Sequence, residues 1–225
     1  NWSPLAFSLD HPHAADLLRN AGVLPVITVH TLDEARAIAD ALLEGGLNTL
    51  ELTLRTPVAI DALAMLKRER PDIVIGAGTI LNAENIRAST DAGADFLVTP
   101  GTPAALADAL VDASIPAVPG AATPTEFMAL RERGFRNCKL FPASAVGGLA
   151  MLKGLAGPLH DMRFCPTGGI SESNAAEFLA QPNVLCIGGS WMLDKAWIAA
   201  GEDATDVVIP LAFAAPSSVA AAGPP

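Results

Sequence analysis

The chain has 225 residues, 51% of them hydrophobic and 17% charged, with a formal net charge of −10. That balance excludes a disordered chain, and no interior apolar run is long enough to cross a bilayer as a helix. It also offers no broad basic surface for nucleic acid, so an anionic ligand has to be held by local groups working against the overall field.

From the N-terminus, Asn1-Trp2-Ser3-Pro4 opens a stretch with neither a basic region nor a continuous apolar run, and no signal peptide is expected there. His11-Pro12-His13 lacks a third ligand and reads as a solvated lead-in to a first helix, the two together occupying 1–22. Eight short apolar runs follow: Val23–Val29, Leu47–Arg55, Ile73–Ile80, Asp95–Gly101, Pro116–Ala122, Asn137–Ala143, Arg163–Gly169 and Val184–Ser190. Each leads into an Ala/Leu/Glu-rich helical stretch, and their centres lie roughly 20 to 25 residues apart, the length of one β/α unit of a barrel. Helix starts are marked by Thr31 with Glu34, Thr123 with Glu126, and Ser171 with Asn174. After Asp206 the chain is uncharged and broken by Pro210, Pro216, Pro224 and Pro225. A short packed segment over Val207–Ala215 and a disordered tail are expected within 205–225.

Eight alternating units predict an α/β fold, a single (β/α)8 TIM barrel over 23–204 with an N-terminal lead-in helix. An open doubly wound sheet is the alternative. Its dinucleotide fingerprint belongs after the first strand, where this chain reads Thr28-Val29-His30-Thr31 with no glycine.

In such a barrel, polar groups at strand ends carry the chemistry. The alternation in Leu50-Glu51-Leu52-Thr53-Leu54-Arg55 puts the leucines towards the helices and Glu51, Thr53 and Arg55 into the barrel. An internal Glu–Arg pair that only fills space is the plainer reading of that strand. Of four lysines, Lys67, Lys153 and Lys195 lie in helical stretches on what should be solvated faces, whereas Lys139 lies inside a strand. A lysine buried there is disfavoured as ammonium, and a partly neutral amine attacks carbonyl carbon to form a Schiff base. A lysine merely salt-bridged to Glu51 is the structural alternative.

Strand seven ends in Thr167-Gly168-Gly169 and strand eight in Gly188-Gly189-Ser190. These are the two loops where this architecture binds phosphate, through backbone N–H groups and a helix N-terminus. Gly76-Ala77-Gly78-Thr79 lacks the Gly-Lys-Ser/Thr of a P-loop and supplies at most a hydroxyl, Thr79, to the barrel mouth. Cys138, Cys165 and Cys186 form no CxxC spacing and read as mid-strand core thiols of a cytoplasmic protein, without disulfides or zinc. Nothing supports Ser-His-Asp or Cys-His chemistry.

Five ordered motifs, Leu50 to Thr56, Gly76 to Thr79, Lys139 to Ala143, Arg163 to Ile170 and Cys186 to Trp191, together resemble the 2-keto-3-deoxy-6-phosphogluconate (KDPG) aldolases of the Entner–Doudoroff pathway. The resemblance runs from about Val23 to Trp191. It implies a class I aldolase without metal or organic cofactor, commonly a homotrimer, with 4-hydroxy-2-oxoglutarate as a second substrate. It further implies Lys139 as the Schiff-base lysine and Glu51 as general acid/base. Arg55 and Thr79 would hold the pyruvyl carboxylate, and Thr167 and Phe141 would line the pyruvyl pocket. Gly168, Gly169, Gly189 and Ser190 would cradle the phosphate. The chain departs from the family at Ser144-Ala145-Val146, where an acidic residue is common, and at its proline-broken C-terminus, where a charged amphipathic helix is expected. The alternatives are a sibling aldolase for the galactonate epimer, a metal-dependent pyruvate aldolase, and a non-catalytic phosphate-binding barrel.

Overall fold

A computed structural model describes residues 12–193 of the chain. The side chains of His11-Pro12-His13, Lys195, the Val207–Ala215 segment and the tail beyond it lie outside the described residues. Within them, strands and helices alternate: α1 (Pro12–Ala21), β1 (Val23–Ile27), α2 (Leu32–Glu44), β2 (Thr49–Thr53), α3 (Ala59–Glu69), β3 (Val74–Gly78), α4 (Ala83–Asp91), β4 (Phe96–Val98) and α5 (Ala104–Val111). The order continues through β5 (Ala117–Val118), β6 (Gly120–Ala121), α6 (Pro124–Glu132), β7 (Asn137–Leu140), a 3-10 turn (Ser144–Val146), α7 (Gly148–Ala156), β8 (Arg163–Pro166), α8 (Glu172–Leu179) and β9 (Ile187–Gly189).

All strand pairs are parallel. One sheet runs β5-β4-β3-β2-β1-β9 and a second runs β6-β7-β8. Two isolated parallel bridges, Phe164↔Val184 and Thr167↔Gly188, tie the β8 side to the β9 side. All eight runs read from the sequence contain strand, but each strand is shorter than its run. The residues trimmed from the C-terminal ends include Arg55, Thr79, Phe141 and Thr167 to Gly169. The fifth run is split at Pro119, which has no N–H to donate to a neighbouring strand. Cys186 precedes β9 rather than lying within it.

The sheet curls, and two packing layers follow from strand alternation. On the outer face Ile27, Leu50, Leu52, Ile75, Leu97, Cys138, Leu140 and Phe164 join helix residues such as Ile38, Leu63, Leu66, Leu110, Phe127 and Leu152 in one buried cluster. Phe127 and Phe164 meet edge-to-face at 5.0 Å between centroids. On the inner face Leu24, Phe96, Val98, Val118, Cys165 and Cys186 pack together with Leu18 of α1. Burial pushes the Cys138 and Cys186 thiols up, so both stay protonated and inert core groups. The inner face is narrow, and glycine makes room on it. A Cβ on Gly76 would stand 2.2 Å from the Phe96 ring on the neighbouring strand.

The helices start where the side chains allow. Thr31 Oγ1 accepts from the Glu34 N–H at 3.0 Å, and the Ser171 N–H donates to Asn174 Oδ1 at 2.9 Å. At α6 the capping box is complete: Glu126 Oε2 accepts from the N–H groups of Ala122 and Thr123 and from the Thr123 hydroxyl at 2.8–2.9 Å. Lys67 corrects the sequence reading of a solvated lysine. Its Nζ is partly buried and donates to Ile73 O at 2.9 Å and Asp95 Oδ2 at 2.8 Å, clamping α3 to the start of β3 and β4. Lys153 is exposed as expected.

Gly76→Ala forces the Phe96 ring aside and should cost about 1–3 kcal/mol, as overpacking does. Urea denaturation checks this, and Gly76→Ala/Phe96→Val should recover part of the loss. The donors around Glu126, the Ala122 N–H first, hold its carboxyl below the usual carboxylate value. A depressed pKa stabilises the fold above the unfolded value and loses that contribution as pH falls through the folded one. Glu126→Gln should therefore be less stable than wild type at pH 7, with the difference closing below about pH 4.

Candidate active site

Charged side chains seldom survive at the centre of a curled sheet, and two do so here. Glu51 of β2 is 1% exposed and Lys139 of β7 is 3% exposed. Lys139 Nζ donates to both carboxylate oxygens, at 3.0 Å to Oε1 and 3.1 Å to Oε2. β2 and β7 belong to different sheets, so this pair spans the concave space from one side to the other. The sequence had offered both Arg55 and Lys139 as internal partners of Glu51; the structure assigns that place to Lys139. Phe141 lies just past β7, with its ring centroid 5.2 Å from Lys139 Nζ, a cation–π distance.

A glycine sequence reasoning had not singled out makes room for the carboxylate. A Cβ on Gly78 would fall 2.2 Å from Glu51 Oε1 and 2.6 Å from its Cγ. The only signal for it was the pair of small residues in Gly76-Ala77-Gly78.

The suggested Glu51–Arg55 pair does not form. Arg55 stands exposed past the end of β2, with Nε donating to Thr79 Oγ1 at 3.0 Å. Among the described residues no carboxylate lies within ion-pair distance of Arg55, so its remaining donors are open to a planar anion. Thr79 is held at φ 61°, in the left-handed region that a β-branched residue rarely occupies. Such strain costs on the order of 1–3 kcal/mol and collects at functional positions. Here it turns the hydroxyl towards Arg55.

Across the same edge, Thr167 is buried and bridges in parallel to Gly188, which sets the two glycine-rich loops side by side. Gly188 is needed for that approach, because a Cβ would meet Thr167 Oγ1 at 2.3 Å. Gly168 (φ 99°) and Gly169 (φ 76°) are consecutive left-handed residues, a backbone only glycine adopts easily. The Gly169 carbonyl accepts from Ser144 Oγ and from Asn174 Nδ2, each at 3.1 Å. Among the described residues the Gly169 and Ile170 N–H groups meet no acceptor, and α8 begins two residues later. Free N–H groups at a left-handed turn and a helix N-terminus suit an anion. Ser190 is exposed just past β9. Gly189 has a packing reason of its own: a Cβ there would stand 2.0 Å from the Trp191 ring.

The arrangement thus holds a buried amine against a carboxylate, a cation with a hydroxyl on one side, and anion-binding amides on the other. A family model for KDPG and KHG aldolases matches residues 14–208. The chain belongs to this family. The 2-dehydro-3-deoxy-phosphogluconate aldolase of Pseudomonas aeruginosa is 47% identical over 186 residues, covering 83% of this chain and 84% of that enzyme. The KHG/KDPG aldolase of Escherichia coli is 43% identical over 189 residues, covering 84% of this chain and 89% of that protein. The KDPG aldolase of Legionella pneumophila, with pyruvate captured at low pH as a covalent carbinolamine intermediate, has the same fold at a TM-score of 0.84 and 39% identity. That likeness covers 90% of this chain and 98% of the other.

A buried ion pair adds little net stability, whereas removing one partner strands the other at about 3–5 kcal/mol. Lys139→Met should therefore be strongly destabilised, and Lys139→Met/Glu51→Leu should regain most of the loss by chemical denaturation. A pair kept for stability alone would leave the double variant as weak as the single one.

Proposed function

We propose that the chain is a class I aldolase that cleaves KDPG to pyruvate and glyceraldehyde 3-phosphate, and 4-hydroxy-2-oxoglutarate to pyruvate and glyoxylate. The observation that carries this reading is the buried Lys139–Glu51 pair, in a chain of the KDPG and KHG aldolase family.

Lys139 Nζ passes a proton to Glu51, within 3.1 Å, and attacks the C2 ketone. Glu51 returns the proton to the carbinolamine hydroxyl, which leaves as water and yields a protonated imine. As carboxylate again, Glu51 takes the C4 hydroxyl proton, directly or through a water. The C3–C4 bond breaks, its electrons flow into the imine to give an enamine, and the aldehyde departs. Protonation at C3 and hydrolysis then release pyruvate and the free amine. No metal or organic cofactor enters these steps. Arg55 and Thr79 bind the pyruvyl carboxylate, a task suited to a forked guanidinium, and Phe141 and Thr167 line the pocket. Gly168, Gly169, Gly189 and Ser190 receive the phosphate.

The same reading completes the fold as one (β/α)8 barrel over 23–204. Two observations support it: the β8 to β9 bridges, and the continuity of β5 and β6 across Pro119. It also includes a homotrimer in the cytoplasm. All three cysteines are free thiols, which suits a reducing compartment, and among the described residues no helix is long and apolar enough to cross a membrane. A metal-dependent aldolase would need a ligand cluster, and the described residues contain no group of three His, Cys, Asp or Glu side chains placed to hold an ion.

Incubation with pyruvate followed by borohydride should leave one reduced pyruvate per chain, mapped to Lys139 by peptide mass. Absence of that adduct, with cleavage abolished by a chelator, would overturn the mechanism. Lys139→Met should lower cleavage at least about 10³-fold, and Glu51→Gln by about 10²–10⁴-fold.

A further inference from the structure

We propose that Thr28 recognises a substrate hydroxyl between the reacting carbon and the phosphate, namely the C5 hydroxyl of KDPG. The inference rests on the aldolase reading of the site and extends it to the aldehyde half of the substrate.

The strand order carries the first part of the argument. The groups for the carboxylate, Arg55 and Thr79, follow β2 and β3, and the anion-binding loops follow β8 and β9. In the sheet β1 lies between β9 and β2. A substrate that reaches from one set of groups to the other lays its middle carbons over the C-terminal end of β1.

Thr28 is the polar residue at that end. Along β1 and just beyond, Val23, Ile27 and Val29 belong to the outer cluster, whereas Leu24 belongs to the inner one. Alternation puts Val26 and Thr28 on the inner side, and both are partly exposed. Thr28 Oγ1 lies 2.7 Å from Oγ1 of Thr53, which shares the inner face of β2 with Glu51.

Proton counting then sets what Thr28 can bind. The Thr53 hydroxyl donates to Ile27 O at 3.0 Å, and a hydroxyl has a single proton. Thr28 is therefore the donor in its contact with Thr53, and its own oxygen is left as an acceptor. A neutral acceptor on a partly exposed side chain fits a ligand O–H and does nothing for a carboxylate or a phosphate. In KDPG the C4 hydroxyl gives its proton to Glu51, so the C5 hydroxyl is the donor left for Thr28. 4-Hydroxy-2-oxoglutarate carries a carboxylate at C5 and has no such group.

The test compares Thr28→Val, which keeps the shape and loses the hydroxyl, with Thr28→Ser, which keeps the hydroxyl. For Thr28→Val, kcat/KM on KDPG should fall about tenfold, the worth of one good hydrogen bond, with 4-hydroxy-2-oxoglutarate cleavage changed less than about twofold. Thr28→Ser should retain most of the KDPG activity. In the condensation direction with pyruvate, the wild-type preference for glyceraldehyde 3-phosphate over 3-phosphopropanal, which lacks the hydroxyl, should shrink by the same factor in Thr28→Val. An equal fall on both cleavage substrates, or an unchanged aldehyde preference, would overturn the proposal. The borohydride adduct of pyruvate at Lys139 reports on the aldolase reading separately: wild-type protein without it loses that reading, whereas normal adducts in wild type and Thr28→Val leave the hydroxyl preference alone under test.

Discussion

A buried amine held against a buried carboxylate is the constraint around which the rest of the molecule is arranged. Neither Lys139 nor Glu51 keeps its charge cheaply inside a protein, and each is tolerable there because the other is within 3.1 Å. Meeting at that distance requires β2 and β7 to face each other across a concave sheet. The curl in turn needs glycine wherever an inner-face Cβ would strike a neighbour: Gly76 under Phe96, Gly78 under the Glu51 carboxylate, Gly188 under Thr167. Small residues on the inside and a continuous leucine, isoleucine and phenylalanine layer on the outside are two consequences of the same demand.

Charge shows the same division between global and local physics. A chain of net charge −10 repels an anionic substrate on average. Binding therefore falls to groups that act at contact range and are little affected by that field. In the proposed aldolase these are one guanidinium with no carboxylate partner among the described residues, and backbone amides beside two left-handed glycines. The Gly169 carbonyl, an acceptor in the same turn, is held by the Ser144 hydroxyl and the Asn174 side chain. Thr79 contributes in a different way: its strained backbone is part of how its hydroxyl reaches Arg55. Both devices spend a little stability to hold donors ready before substrate arrives.

Much of this was legible in the chain itself. Strand alternation placed Glu51 and Thr53 on the inner face, because a period of two leaves no other choice once the leucines face the helices. A single lysine inside a strand was conspicuous for the same reason, and capping residues marked where α2, α6 and α8 begin. The Gly168-Gly169 pair was legible because no other residue adopts that backbone easily. The suggested Glu51–Arg55 pair failed because Arg55 lies past the strand end, where it meets Thr79 instead. Lys67 failed differently. A helix face reads as solvated from its own sequence, and only the tertiary contacts with Ile73 O and Asp95 made that lysine a partly buried clamp.

Local periodicity and residue chemistry alone account for the alternation of strand and helix, the inward placement of Glu51, a lysine inside a strand at Lys139, and the family its motifs resemble. Tertiary structure alone decided who meets whom. It paired Lys139 with Glu51 rather than leaving Arg55 to do so, set Arg55 against Thr79, and brought Thr28 to Thr53. Those contacts depend on strand order and curl, which bring residues 24 to 88 positions apart within hydrogen-bond reach, and no short window of sequence encodes a distance across a sheet.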